Sequence, residues 1–312
     1  MLGVALVGIV TSTGSSYRTA EPGYENYPTF STTTTTTSAT GTTVAAIPTT
    51  AERTSPRATP TAGQRTPATR REPPKPRPVP KLADNPLMAN GLGVPKTQCS
   101  LPRWNASPAG QQAYYEAAVN CMARAWAPVL SAAGLPTEPP RVYTPTGRHS
   151  SPCGNRAATD NAYYCRGNIY MPPQYFTKVE GLRMEQPAVF LGVLAHEYGH
   201  HVQELSGIMQ AAWSIRYDVG EESVAGLENS RRTELQATCF GGMVYAGLVG
   251  NGSVGRGLYD AALRDNYQRG DHNGRPRDHG HPQNNGVWFQ HGAEKNRTAQ
   301  CNTWSASPDS VA

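Results

Sequence analysis

The sequence predicts an α+β fold, with one folded domain over residues 86–312. Three observations support this class. Apolar residues recur at helical spacing in three long segments, and the region between the first two of these segments is rich in aromatic and β-branched residues. Residues 31–80, by contrast, contain almost no large apolar side chains from which a core could form.

Residues 1–12 form an apolar N-terminal segment that contains the run "LGVALVGIV". About ten apolar residues are too few to cross a bilayer as a helix. The run resembles the hydrophobic core of a signal peptide, although a basic region before it and a small-residue cleavage site after it are missing. We interpret it as a truncated export signal or membrane anchor; the alternative is a frayed apolar terminus.

Residues 13–85 are predicted to be a long disordered linker rich in Thr and Pro. Nine of the 28 Lys and Arg residues but only four of the 23 Asp and Glu residues lie in residues 1–81, so the remainder is neutral overall. A nucleic-acid-binding protein would concentrate basic residues on its folded part, and nucleic acid is therefore excluded as a partner. The linker is interpreted as a stalk that associates the domain with a membrane or cell wall through the N-terminal segment.

The first helix of the domain is predicted to begin at Pro108, with Ser107 as its N-cap. Apolar residues then follow at helical spacing, which predicts one buried face with a purely structural role. These residues are Tyr114, Ala117, Ala118, Cys121, Met122, Ala125 and Val129.

A small antiparallel sheet is predicted after this helix. The segments "RVYTP" and "AYYCRGNIYMP" are rich in aromatic and β-branched residues, and Arg166-Gly167-Asn168 divides the second one as a hairpin turn. Two further long helices are predicted over residues 186–206 and 225–248. Residues 264–292 are rich in Gly, Asn and His and are expected to form loops with one short helix.

The second of the three helices contains the motif "LAHEYGHHVQ". His196 and His200 are four residues apart, so both imidazoles lie on one face of the helix, and both can reach one Zn²⁺ ion at about 2.0–2.1 Å. Glu197 lies one residue on, where its carboxylate can act as a general base without binding the ion directly. His201 is expected to face away from the metal. The alternative is a structural helix whose histidines are solvated or hydrogen-bonded locally.

A catalytic zinc site needs a third protein ligand and one open position. Glu234 in "RRTELQATC" is the predicted third ligand, because an acid on the apolar face of the next helix needs a partner. Glu221 and Glu222 in "GEESVAG" are the alternatives, but they lie in a polar segment that favours a solvated helix start.

Six cysteines lie in the predicted domain, and no CxxC pair is present, so disulfides are favoured over a zinc ribbon. Six cysteines allow about 15 connectivities, and the sequence alone does not decide among them. Proximity along the chain suggests the pairs Cys99–Cys121 and Cys153–Cys165, which leaves Cys239 with Cys301. Disulfides predict an extracytoplasmic protein, either secreted or anchored in the membrane at the cell surface.

The motifs "LAHEYGHHVQ", "RRTELQATCFGG" and a late "HG" followed by "WFQHG" together resemble the putative neutral zinc metallopeptidase family of bacteria, roughly over residues 95–295. The resemblance implies a zincin-like fold and zinc-dependent hydrolysis of a peptide or protein substrate. It supports His196, His200 and Glu234 as ligands of one Zn²⁺ ion, with Glu197 as the base. The stalk and disulfides are similar to those of surface-anchored actinobacterial members.

Two positions depart from the pattern of that family. Thr238 stands where the family usually has Asp after "ELQA", and Asn284 stands where the family usually has Arg. The Asp is expected to orient a ligand histidine, a role that is worth about 10- to 100-fold in metal affinity or activity. The change to Thr238 favours an alternative function, a catalytically degenerate metal-binding protein at the cell surface.

Peptide hydrolysis also needs a donor to the oxyanion that develops in the transition state. His279 in "RDHGH" is the candidate by its order along the chain, and Tyr170 and Tyr198 are weaker ones. From zincin architecture, the strand "NIYMPP" is expected to line the cleft and to bind the substrate backbone.

Overall fold

The computed structural model describes residues 82–272 and 276–312. The predictions for residues 1–12 and for the linker up to residue 81 lie outside these ranges. Leu82 and Asn85 are buried, and the Asn85 side-chain amide donates to the carbonyl of Ser206 at 3.1 Å. The packed domain therefore includes residues 82–85.

The described residues confirm the α+β class. Six α-helices are present in them: α1 (Pro108–Ala132), α2 (Pro187–Leu205), α3 (Ile208–Val219), α4 (Val224–Leu248), α5 (Arg256–Asn266) and α6 (Pro282–Lys295). Single helical turns of 3₁₀ or π type occur at Pro86–Met88, Tyr175–Val179, Thr298–Cys301 and Pro308–Val311.

Helices α1, α2 and α4 are the three predicted helices. The predicted start of α1 and both predicted ends of α2 and α4 lie within one residue of those in the structure. The predicted cap of α1 is present, since the Ser107 hydroxyl accepts a hydrogen bond from the Gly110 amide at 3.2 Å. Helices α3 and α5 were not predicted. The one helix expected within residues 264–292 is α6, which is longer than predicted and begins at Pro282 behind a cap in which His281 accepts from the Gln283 amide.

The predicted antiparallel sheet is a mixed sheet. Its strands are β1 (Arg141–Tyr143), β4 (Tyr163–Cys165) and β5 (Asn168–Tyr170), in the order β1-β5-β4. Strand β5 pairs antiparallel with β4 but parallel with β1. A separate antiparallel hairpin of β2 (His149–Ser151) and β3 (Gly154–Arg156) lies between β1 and β4 in the chain, so β1 and β5 are not consecutive strands of one meander.

The predicted hairpin turn joins β4 to β5. Its two central residues, Arg166 and Gly167, have φ values of 44° and 76°. Two residues with positive φ form the primed type of turn that matches the twist of antiparallel strands. Strand β4 therefore pairs with β5 on one side only and forms one edge of the sheet.

Helix α4 is the centre of the domain, with α2 on one side and α6 on another. The helices approach closely at glycines: a Cβ atom at Gly199 of α2 would lie 2.4 Å from the carbonyl oxygen of Ala237, and one at Gly292 of α6 would lie 2.0 Å from that of Cys239. Contacts this short exclude any side chain at these positions. The contact at Gly199 aligns the His196–His200 segment with the Glu234 segment of α4.

The structure confirms the three cysteine pairs suggested by proximity. Cys99 is bonded to Cys121, Cys153 to Cys165, and Cys239 to Cys301. They tie the start of the domain to α1, the β2–β3 hairpin to β4, and α4 to the C-terminal segment. Three disulfides are typical of an oxidising compartment outside the cytoplasm. Among the described residues, no helix combines the length and apolarity needed to cross a membrane.

Candidate metal centre

The structure brings His196, His200 and Glu234 together in the groove between α2 and α4. The two Nε2 atoms of the histidines lie 3.1 Å apart, and each lies 3.2 Å from Glu234 Oε2. The three atoms therefore form a nearly equilateral triangle, although Glu234 is 34 residues from His200 in the chain.

This triangle fits a zinc ion. Ligand atoms about 2.0–2.1 Å from a tetrahedral Zn²⁺ lie roughly 3.3–3.4 Å from one another, close to the distances found here. Two imidazoles and one carboxylate are also a ligand set that catalytic zinc sites use. Burial lowers the pKa of His200, but the Glu234 carboxylate outweighs burial and raises that pKa to about 9, so the triangle favours a positive charge.

The tautomer of His200 follows from its partner Gln203. The Gln203 side-chain Nε2 donates to the carbonyl of Thr233 at 2.8 Å, so its Oε1 is the atom that faces His200 Nδ1 at 2.9 Å. An amide oxygen only accepts, and Nδ1 must therefore carry the proton. The lone pair of the neutral ring is left on Nε2, which points into the triangle.

The same argument orients His196. Asn285 donates from Nδ2 to the backbone carbonyl of Asn266 at 2.8 Å, so its Oδ1 faces Thr238 and accepts the Thr238 hydroxyl proton at 2.8 Å. The Thr238 oxygen then accepts from His196 Nδ1 at 3.0 Å. His196 Nε2 is again left unprotonated toward the triangle.

Glu197 lies beside this set and is buried, with 5% of the residue exposed. Among the described residues, no donor lies within hydrogen-bond distance of its buried Oε2 atom. Burial raises the pKa of Glu197, against the lowering effect of the His196 and His200 imidazoles. A buried carboxylate oxygen without a partner is costly, and a water molecule in the adjacent cleft would supply the missing donor.

His279 lies at the mouth of the same site. Its Nε2 is 4.0 Å from Glu234 Oε2, and its Nδ1 is 2.7 Å from Asp278 Oδ1. Asp271 holds the loop by accepting hydrogen bonds from the amides of His279 and Gly280 at 2.8 and 3.0 Å. Burial lowers the pKa of His279, but the Glu234 and Asp278 carboxylates prevail and raise it to about 9.

The other candidates from the sequence lie away from the triangle. Glu221 and Glu222 are exposed in the turn between α3 and α4 and do not line the cleft. His201 faces away, with its Nε2 donating to the carbonyl of Glu138 at 2.6 Å. Tyr170 and Tyr198, the weaker candidates for the oxyanion donor, are buried and do not line the cleft.

The ligand atoms open into a cavity of about 230 Å³. One wall is formed by residues 161–164, which include the start of β4, and another by the cleft-facing side of α3. Strand β4 and not "NIYMPP" therefore lines the cleft, because β5 is the central strand of the sheet. Residues of α3 in this wall are Met209, Ala212, Trp213 and Arg216.

Comparison with known proteins identifies the family. A profile described as "Putative neutral zinc metallopeptidase" matches residues 96–304, which is well over half of the chain. The chain belongs to this family. The matched range contains His196, Glu197, His200, Glu234 and His279.

Two relatives that match this chain come from Escherichia coli and Mycobacterium tuberculosis. Uncharacterized protein YpfJ of Escherichia coli K12 is 28% identical over 195 residues, which cover 58% of this chain and 67% of YpfJ. Uncharacterized protein Rv2575 of Mycobacterium tuberculosis H37Rv is 30% identical over 128 residues, which cover 40% of each chain. No solved structure matches the chain.

The Thr238 departure from the family motif has a structural explanation. Thr238 accepts from His196 in the place expected for the Asp, and its own proton goes to Asn285. The second departure, Asn284, faces the C-terminal segment, where its side chain donates to the carbonyls of Asp309 and Ala312. Sequence reasoning missed Gln203 and Asn285, although the spacing of Gln203 three residues after His200 was a usable signal.

Replacing Thr238 by Val is expected to weaken zinc binding about 10- to 100-fold, because Val has the same shape but offers no acceptor to His196 Nδ1. The measurement is a competitive zinc titration against a chelating dye. Thr238→Ser keeps the hydroxyl and should remain within a few-fold of the wild type. Equal zinc affinities of the Val variant and the wild type would contradict the proposed role of this hydrogen bond.

Proposed function

We propose that this chain is a zinc-dependent endopeptidase with a zincin-like catalytic domain. The observation that carries the proposal is the triangle of His196 Nε2, His200 Nε2 and Glu234 Oε2 beside the unpartnered carboxylate oxygen of Glu197. A site with a purely structural role has no need for an acid in that position, whereas hydrolysis requires a base next to the ion.

The residues around the triangle can each be given a chemical role. His196, His200 and Glu234 would hold Zn²⁺, which when bound would act as a Lewis acid that lowers the pKa of water and polarises a carbonyl group. Glu197 accepts the proton of the attacking water and later transfers it to the nitrogen of the leaving amine. Its raised pKa suits this exchange, since a base of higher pKa is a stronger proton acceptor.

His279 is proposed to donate to the oxyanion of the transition state. Asp278 accepts from Nδ1, so Nε2 is directed toward the cleft, and the raised pKa of His279 keeps a proton available there.

His279→Ala is expected to lower kcat about 10²-fold with unchanged zinc content. The exposed His272, outside the cleft lining, is the matched control. A loss of zinc from His279→Ala, or equal kcat values for the two variants, would contradict this role.

Strand β4 is proposed to bind the backbone of the substrate. It is an edge strand beside the cleft, and Tyr163 and Tyr164 line the cavity. The two-residue turn makes Cys165 and Asn168 a hydrogen-bonded pair. Because hydrogen-bonded and non-hydrogen-bonded pairs alternate along antiparallel strands, we infer that the backbone N–H and C=O of Tyr164 point to the free edge. A peptide in extended conformation could pair with that edge.

The alternative of a degenerate metal-binding protein predicts zinc binding without hydrolysis. Its sequence argument was the loss of the Asp at position 238, but the Thr238–Asn285 pair offers His196 an acceptor in the same place. The intact Glu197 also favours catalysis. We therefore prefer the peptidase function.

The test of the proposed function is the digestion of an unfolded protein, such as reduced and alkylated casein, by the disulfide-bonded protein. Cleavage should stop when a chelator removes the metal and should return when zinc is added back in stoichiometric amount. Fragments with internal new termini would identify an endopeptidase. A zinc-loaded protein that cleaves neither casein nor short peptides would overturn the proposal and favour the degenerate alternative.

We further propose that the protein is secreted or anchored at the cell surface, where its substrates would be peptides or proteins. The three disulfides support this placement, because such bonds persist in oxidising compartments. Digestion of intact cells with an added protease tests it. A protein that is protected in intact cells and cleaved only after lysis would contradict exposure at the surface.

A further inference from the structure

Helix α3 presents an unusually apolar exterior. Its large apolar side chains Trp213, Ile215, Tyr217 and Val219 are 56, 41, 77 and 42% exposed. Trp213 and Tyr217 lie on one side of the helix and Ile215 and Val219 on another, because two residues turn an α-helix by about 200°. The helix therefore has features that packing against α2 and α4 does not explain.

One face of α3 is part of the candidate metal cleft. Met209, Ala212, Trp213 and Arg216 are spaced three and four residues apart, so they lie on one side of the helix, and all four line the cavity that contains His196 and Glu197. Three of these four side chains are apolar. The fourth, Arg216, has its guanidinium 5.9 Å from the Trp213 ring centroid.

These four residues, the α3 wall, lie beside the strand edge that is proposed to bind the substrate. Residues 161–164, where β4 offers its free edge, line the same cavity as the α3 wall. A peptide that pairs with β4 turns alternate side chains to opposite sides, so one side chain near the scissile bond can extend toward Met209, Ala212 and Trp213. The guanidinium of Arg216 disfavours a Lys or Arg side chain at that point, and burial against apolar groups disfavours any charge.

We propose that the α3 wall is a specificity subsite that selects peptides with a large apolar or aromatic residue next to the cleaved bond. The proposal rests on the proposed peptidase function and adds its substrate class. Trp213 is the specificity-determining residue, because it provides the largest apolar surface in the wall and is still 56% exposed to an incoming side chain.

The first experiment compares two short peptides that differ only in Phe or Ala at one position beside the cleaved bond, which mass spectrometry identifies in digests of unfolded protein. In the wild type, kcat/KM should be at least about tenfold higher for the Phe peptide. Trp213→Ala should reduce this ratio about tenfold. Tyr217→Ala, one turn farther along α3 and outside the cleft lining, should leave the ratio unchanged. Zinc content and circular dichroism verify that both variants are folded.

A second experiment measures binding without turnover. Titration of the Phe peptide into the Glu197→Gln protein should shift tryptophan emission to shorter wavelength, because the exposed Trp213 becomes covered, and calorimetry should give a tighter Kd than for the Ala peptide. Trp213→Ala in the same background should lose both the shift and the preference, whereas Tyr217→Ala should keep them.

The outcomes separate the two proposals. Cleavage with no preference for large apolar residues, or with a preference that survives Trp213→Ala, would overturn the subsite and leave the peptidase function standing. Binding that depends on Trp213 without any cleavage by the zinc-loaded wild type would overturn the peptidase function and support the subsite. Neither cleavage nor binding would overturn both.

Discussion

Glu197→Gln is expected to reduce the kcat/KM of peptide hydrolysis by about 10²- to 10⁴-fold, the range that a general base contributes. The substitution keeps the size and hydrogen-bonding ability of the side chain but removes its capacity to accept a proton. Because Glu197 is outside the His196–His200–Glu234 triangle, the variant should still bind about one zinc ion per chain. Metal analysis and steady-state kinetics on the same preparation measure both quantities.

The matched control for this substitution is Glu222→Gln, which makes the same chemical change on an exposed side chain outside the cleft. It should retain the activity and the zinc content of the wild type. Residual activity of Glu197→Gln at the level of that control would rule out Glu197 as the base. Loss of zinc from Glu197→Gln would instead place this carboxylate among the ligands.

Glu234→Ala is expected to abolish stoichiometric zinc binding. Loss of a hydrogen bond that only orients a ligand costs about 10- to 100-fold in metal affinity, and loss of a ligand itself should cost more than about 10²-fold. Two imidazoles and solvent would then be the remaining partners of the ion. Zinc per chain after dialysis and the rise of Tm on zinc addition measure the effect, because a ligand that binds the folded state raises Tm by mass action.

Glu221→Ala and Glu222→Ala are the matched controls, since both acids had been alternatives for the third ligand and both are exposed. Each should bind zinc like the wild type and show the same rise of Tm. Glu234→Gln, which preserves the volume of the side chain, distinguishes lost coordination from lost packing. If Glu234→Ala binds zinc like the wild type, or if Glu221→Ala loses zinc binding, Glu234 is not the third ligand.

Much of the helical structure could be predicted because its signals are local. Ser107 and Pro108 mark the start of α1, and apolar spacing places α2 and α4 within one residue of their predicted ends. The disulfide pairs could also be predicted, because two of them join cysteines that are only 12 and 22 residues apart in the sequence. The two remaining cysteines then form the third pair. The Arg166–Gly167 turn has a local signal too, the positive φ that glycine favours.

The errors arose where the signal is not local. Parallel pairing of β1 with β5 depends on the path of the residues between them, which include the separate β2–β3 hairpin. Helix α3 was overlooked because only Ile208 and Ala212 of its residues are buried, and its other large side chains face solvent or the cleft. The helix expected among the loops of residues 264–292 is present as α6, but it is longer than the short helix that was predicted.

By itself, the sequence determined that His196 and His200 share one helix face with Glu197 beside them, because helix periodicity converts spacing into direction over a few residues. Only the tertiary structure decided that Glu234 completes the triangle, that Thr238 and Asn285 orient His196, and that α3 lines the cleft. The first two relations join residues 34 to 47 positions apart, as from His200 to Glu234 and from Thr238 to Asn285. They depend on how closely α2, α4 and α6 pack at glycines such as Gly199, which periodicity within a single helix does not specify.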